Sequence, residues 1–204
     1  MRRKGIRRGA SFLVAAFLLI QSAVGEGWFP GWQTTPAPTP ENTFLFRGGV
    51  TWGMSPETVR ETEADLQMEE RSQENWSVVY PVNRVEVSRF FADLVYIFYQ
   101  RQLRMILYAF DQNEKATGFS YLTGALSSVY GECEEASSAD VVQWMDPVYP
   151  GMYAEEEMRQ VRTWYAPDGT RIYLYYQNAS AFSILYVSPG AGLPSDGVYN
   201  TNGL

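Results

Sequence analysis

The most unusual mixture of side chains lies in residues 140–157, where aromatic residues, two prolines and a run of three glutamates occur together. Rigid aromatic anchors inside a charged rim are typical of protein interfaces. We therefore predict that Trp144, Tyr149 and Tyr153 are binding residues. The alternative is that Trp144 is a core residue of a strand and that the glutamates begin a solvated helical turn.

Two pairs of adjacent acidic residues, Glu69-Glu70 and Glu134-Glu135, raise the question of carboxylate catalysis or calcium binding. Neither pair has the spacing of a calcium-binding loop, and adjacent carboxylates usually lie on a solvated surface. We therefore expect neither catalytic residues nor a metal site there. A hydrolase based on carboxylates remains an alternative, and it would need two acids that converge in one pocket.

The chain contains no histidine and one cysteine, Cys133. This composition excludes nucleophiles that depend on an imidazole base. One thiol forms neither an internal disulfide nor a multi-thiolate zinc site. We therefore predict that the protein is not an enzyme and has no cofactor.

The 204 residues include 46% hydrophobic and 15% aromatic residues, enough for a folded core. Lys and Arg number 16 against 23 Asp and Glu, for a formal charge of −7. The first 25 residues hold five of the cations and no acid, so the remainder has 11 cations against 23 acids, a charge of −12. Such a chain repels phosphate backbones and anionic membranes, so we expect no nucleic-acid partner.

Residues 1–25 match a signal peptide, with five basic residues, an apolar run over 11–20 and small residues before Glu26. We expect the protein to be exported, and either secreted or held in the cell envelope. An uncleaved membrane anchor is the alternative, and it would be the only membrane contact. Residues 26–43 form a Pro/Thr-rich linker, 44–188 a domain and 189–204 a flexible tail.

Two helices are predicted within the domain. Ser55 is a suitable N-cap and Pro56 suits the first helical position, so one helix begins there and ends between residues 63 and 67. Apolar residues at helical spacing predict a second helix, which Gly131 ends. They are Phe119, Leu122, Leu126, Val129 and Tyr130.

Alternating, β-branched and aromatic segments predict strands at 76–82, 85–91, 93–99, 103–110, 141–145, 160–165, 171–177 and 181–187. Asp168-Gly169 indicates a hairpin turn. Both faces of the strand at 93–99 are apolar. One face must pack on the helices, and we expect the other to be covered as well; the alternative is an exposed aromatic patch. These elements predict an α+β fold.

The two halves of the domain resemble each other, since residues 95–100 match residues 172–177 and each half opens with a helix. We predict two tandem units, 44–111 and 113–188, each a short helix packed on an antiparallel, hairpin-rich sheet.

Residues 53–59 are similar to the Gly-Met-Ser/Thr-x-x-x-Val helix opening of small bacterial envelope proteins, including the small lipoproteins of the outer-membrane barrel-assembly machinery. The doubled helix-plus-sheet unit resembles the β-lactamase-inhibitory proteins. The chain lacks the lipid-anchor cysteine and the disulfide framework of these families. The resemblance implies a fold and a binding role, without a particular target.

From these patterns we predict an exported, non-catalytic module that binds a protein or peptide. The two alternatives are the carboxylate-based hydrolase described above and a carbohydrate-binding domain. The latter predicts coplanar, exposed aromatic side chains.

Overall fold

The computed structural model describes residues 46–111, 115–178 and 181–191. The predicted signal peptide, the linker and the tail beyond residue 191 lie outside the described residues.

The described residues form an α+β fold, as predicted. A single 3-10 turn, Arg47–Gly49, precedes the first helix. The helices are α1 (Pro56–Thr62), α2 (Lys115–Tyr130) and α3 (Ser138–Met145). The strands are β1 (Met68–Gln73), β2 (Trp76–Pro81), β3 (Val85–Val87), β4 (Phe90–Tyr99), β5 (Gln102–Phe110), β6 (Glu134–Glu135), β7 (Arg159–Tyr165), β8 (Arg171–Tyr176) and β9 (Phe182–Val187).

In the described part of the chain, nine strands form one antiparallel sheet in the order β1-β2-β4-β5-β9-β8-β7-β6, with β3 paired to β4. Strands β5 and β9 pair with each other, so the strands from both halves of the domain belong to the same continuous sheet. The two-unit arrangement itself stays a prediction.

Helix α1 begins as its capping residues predict. The Ser55 hydroxyl accepts a hydrogen bond from the Thr58 amide at 3.3 Å, and Pro56 follows in the first turn. Val59 is buried, and the helix ends at Thr62, just before the expected range. The result is a short helix whose last turn brings Glu63 toward the sheet.

Helix α2 also forms where its apolar spacing predicts. Phe119, Leu122 and Leu126 are buried, and Gly131 has a φ of 89°, the left-handed conformation that ends helices at glycine. Val129, another of the apolar residues that predict this helix, does not lie on its buried face, because this side chain is 63% exposed.

The strand predicted at 141–145 was wrong, because these residues belong to α3. The Ser137 side chain accepts from the Asp140 amide while the Asp140 carboxylate accepts from the Ser137 amide, which completes a capping box. This local stabilisation outweighs the β preference of Val141 and Val142. Val141, Trp144 and Met145 then share one buried helical face.

The other predicted strands form with small changes in their bounds, and the Asp168-Gly169 turn links β7 to β8 as expected. The strand predicted at 85–91 ends at Val87, and a turn at Ser88 and Arg89 separates it from β4. Strand β1 was missed because all of its residues except Met68 are exposed, so the segment has no apolar alternation.

Both faces of the sheet are covered, as predicted. The first core contains Val59 of α1, Phe119 of α2, and Tyr96 and Phe98 of β4. The second core lies on the opposite face, because Ile97 alternates with its two neighbours. Helix α3 and residues 148–158 pack on this second face.

Candidate functional site

The candidate functional site is a pocket of about 190 Å³ beside the second core. It lies where β2, β4 and β5 meet α3 and the segment that follows β9. Its lining residues are mostly aromatic or apolar, with one arginine and one glutamine: Trp76, Tyr99, Gln100, Arg104, Met105, Trp144, Gly190 and Ala191.

A β-bulge places Arg104 at this pocket. Ile97 is paired with Met105 and Phe98 with Leu103, so Arg104 is the extra residue in β5. An extra residue bends a strand and redirects its side chains. Leu103 accordingly belongs to the first core, whereas Arg104 and Met105 both line the pocket on the second face.

The turn between β4 and β5 has unusual backbone angles. Gln100 and Arg101 have φ values of 49° and 62°, although hairpin turns of this type favour Asn and Gly. The Gln100 amide donates to the Asn75 carbonyl at 2.8 Å, which ties this turn to the turn before Trp76. Backbone strain of this kind persists only where the surrounding structure holds it, and it concentrates at binding sites.

Two of the aromatic walls form a cross-strand pair. Trp76 of β2 lies opposite Tyr99 of β4, with ring centroids 4.8 Å apart and planes inclined at 50°. Aromatic cross-strand pairs stabilise a sheet and hold each other in place. The inclination means that these rings do not form the coplanar platform expected for a sugar-binding surface.

Arg104 is the cationic residue among those that line the pocket. Its guanidinium donates to the Gln102 side-chain oxygen at 2.6 Å, a neutral acceptor. In the part of the chain that the structure describes, no carboxylate oxygen lies within 4.0 Å of Arg104. The site therefore combines a ring-lined cavity with a cation that has no acidic partner there.

The predicted binding residues are mainly buried. Trp144 is 6% exposed and lies on α3, so it is neither an exposed interface residue nor a core residue of a strand, but a core residue of a helix. Its ring lines the pocket, while its buried Nε1 has no hydrogen-bond partner among the described residues. Trp144 thus contributes a wall rather than a projecting anchor.

Tyr149 and Tyr153 lie beside each other, with ring centroids 6.2 Å apart. Tyr153 is 8% exposed and belongs to the second core, and its burial raises its pKa. Tyr149 is half-buried near Arg71 and Tyr80. The structure therefore brings Trp144 to the pocket but places neither tyrosine among the residues that line it.

The acidic pairs do not converge on a metal or a pocket. Glu69 accepts from the Tyr80 hydroxyl at 3.0 Å, Glu70 pairs with Arg60, and Glu135 pairs with Arg162 at 2.6 Å. Within residues 46–111, 115–178 and 181–191, no group of three potential metal ligands occurs.

A second polar constellation lies in the first core, at Glu63. This carboxylate is 1% exposed, accepts from the Tyr96 hydroxyl at 2.6 Å, and lies 3.0 Å from Nε of Arg47. Burial raises the pKa of Glu63, although the Tyr96 hydrogen bond and the Arg47 charge act in the opposite direction. The sequence pattern did not single out this residue, because Glu63 lies just beyond a short helix.

The pocket residues contributed by β2, β4 and β5 were also missed. The short polar gap between the apolar segments that end at Tyr99 and begin at Leu103 is a signal for a hairpin. No local signal, however, places Trp76 beside Tyr99, since that neighbour relation depends on strand register.

No helix of the described residues has the length and apolar character needed to cross a membrane. Comparisons with protein-family models, curated proteins and solved structures found no match for this chain.

Proposed function

We propose that this protein is an exported, non-catalytic module that binds a protein or peptide in the cell envelope or outside the cell. The pocket at Trp76, Trp144 and Arg104 supports the binding role. Ring surfaces with one fixed polar group are typical of sites that hold a side chain of a partner. The basic and apolar pattern of residues 1–25 supports export.

The pocket favours binding over hydrolysis. None of its lining residues is acidic, whereas a carboxylate-based hydrolase needs two acids at the reacting bond. The buried carboxylate of Glu63 is already engaged by Tyr96 and Arg47. The inclined Trp76 and Tyr99 rings do not favour the carbohydrate-binding alternative.

Selection from a random peptide library on the purified full chain tests the binding role. We expect enriched peptides that bind the unaltered chain and lose affinity at least tenfold with Trp76→Ala. Tyr121→Ala is the control, since Tyr121 is an exposed aromatic residue on α2. Equal loss in both variants, or no enriched peptide, would contradict the proposal.

Export has a separate test. N-terminal sequencing of protein recovered from the envelope or the medium should begin at Glu26. Recovery of the uncleaved chain from the cytoplasm alone would contradict export without affecting the binding proposal.

A further inference from the structure

Building on the proposed function, we propose that the pocket receives an aromatic side chain of an acidic peptide segment, and that Arg104 pairs with a carboxylate beside that side chain. The occupant is thus a partner segment in which Phe or Tyr is next to Asp or Glu. The size of the pocket, the chemistry of its walls and the charge of Arg104 favour this occupant.

The size of the pocket suits one aromatic ring. Its volume is about 190 Å³, and an apolar cavity of about 150 Å³ is known to hold benzene. Trp76, Tyr99 and Trp144 provide ring surfaces, and Met105 provides a polarizable thioether that packs well against an aromatic ring.

The charge of the pocket favours an anion. The whole chain has a formal charge of −7, yet Arg104 has no carboxylate within 4.0 Å among the described residues. A guanidinium matches a carboxylate with two parallel hydrogen bonds. Arg104 is also half-buried, so solvent and salt screen it less than a fully exposed side chain.

The position of Arg104 is preorganised. The bulge in β5 gives it a place on the same side as Met105, and the Ser188 amide donates to its carbonyl at 2.9 Å. Holding the backbone reduces the entropy lost when a ligand binds. The strained turn at Gln100 and Arg101 is adjacent in the chain and contributes Gln100 to the pocket wall.

Calorimetric titration with three blocked pentapeptides tests this inference. The first has a central Phe between two Glu, the second replaces both Glu with Gln, and the third replaces Phe with Ala. With the full chain in low salt, we expect the first peptide to bind at least tenfold more tightly than either control. The preference for Glu over Gln should decrease as salt is added.

Two pocket variants separate the two parts of the recognition. Arg104→Gln should abolish the preference for Glu over Gln and keep the preference for Phe over Ala. Trp76→Ala should abolish the preference for Phe over Ala. Arg159→Gln, at an exposed arginine that begins β7, should leave both preferences intact. Because each readout is a ratio of affinities, a partial loss of folded protein does not mimic it.

Several results would overturn the inference. The inference is wrong if Arg104→Gln retains the preference for Glu over Gln. It is also wrong if phenylacetate alone binds as tightly as the first peptide, a result that would indicate a site for small acids. Dimerisation that Arg104→Gln abolishes, without any peptide binding, would assign the pocket to a second copy of the chain. If library peptides without an acid or an aromatic residue still require Trp76, this inference fails while the proposed function stands.

Discussion

The Glu63 cluster and the ring-lined pocket both combine an arginine with aromatic side chains, but on opposite faces of one sheet. In the cluster, Arg47 lies against a buried carboxylate that Tyr96 also contacts. In the pocket, the Arg104 guanidinium donates to the neutral Gln102 side chain, and no carboxylate of the described residues lies within 4.0 Å of it. Internal pairing makes the first region part of the folded framework, whereas the second region has capacity left for a ligand.

Burial explains why substitutions in the two regions should differ in their effect on the free energy of unfolding. Glu63 has lost its water and depends on Arg47 and Tyr96. Removing Glu63 leaves the Tyr96 hydroxyl without its acceptor, and removing Arg47 or Tyr96 leaves the buried carboxylate with one partner instead of two. The half-buried Arg104 retains contact with solvent. The comparison therefore predicts large stability effects at Glu63 and small ones at Arg104.

The largest expected effect is that of Glu63→Ala. This substitution leaves the Tyr96 hydroxyl without its acceptor in the first core and removes the carboxylate beside the partly exposed Arg47, and we expect it to lower the free energy of unfolding by about 3 kcal/mol. Urea denaturation measures the change. Glu61→Ala, at an exposed position of α1, should change it by less than about 0.5 kcal/mol. Similar values for both variants would remove the distinction between the two regions.

The second prediction concerns pH. The pKa of Glu63 in the folded protein lies above its ordinary value of 4.5, so the folded state binds more protons than the unfolded state above pH 4.5. The stability that the neutral carboxyl contributes is complete below pH 4.5 and is lost as the pH rises through the folded pKa. Relative to Glu63→Gln, the unaltered chain should become less stable from pH 4.5 upward. Urea denaturation across this range measures the difference, and a constant difference would contradict the raised pKa.

A third prediction tests the strain beside the pocket. Gln100→Gly should raise the free energy of unfolding by about 1 kcal/mol at most, because glycine adopts the φ of 49° without a steric cost. Gln102→Gly, two residues later in β5, should lower it by about 0.5–1 kcal/mol. Thermal and urea unfolding of both variants provide the test. Destabilisation by Gln100→Gly would mean that the turn is not strained.

The smallest expected effect is that of Arg104→Gln on stability, within about 0.5 kcal/mol. The matched change in the other region is Arg47→Gln, for which we expect a loss of about 2 kcal/mol because the buried Glu63 carboxylate loses its cation. Urea denaturation of the two variants under the same conditions gives the ratio of the two losses in the free energy of unfolding. A larger loss for Arg104→Gln would assign Arg104 to the framework rather than to a ligand.

Burial also explains why the predicted binding residues differ from the lining of the pocket. Aromatic residues beside acidic ones suggest an exposed interface, but the same aromatic residues also fill cores. Val141, Trp144 and Met145 share a buried helical face. Trp144 therefore lines the pocket from the core and does not project from the surface. Tyr153 packs in the second core with the same residues.

Features that depend on neighbours along the chain can be predicted from the amino-acid sequence. Ser55 and Pro56 begin α1, Gly131 ends α2, and Asp168-Gly169 forms a turn, because caps and turns are satisfied by residues three or four positions away. The apolar residues on both faces of β4 similarly favour a sheet that is covered on both sides.

The contacts between residues that are distant in the chain follow from the packing of the folded domain. Trp76, Tyr99 and Trp144 come from β2, β4 and α3, and their meeting depends on strand register and on the face that α3 covers. Strand β1 forms on the edge of the sheet through backbone pairing with β2, although its side chains carry no apolar pattern. Such contacts arise from packing and pairing over long distances in the chain, which local preferences do not specify.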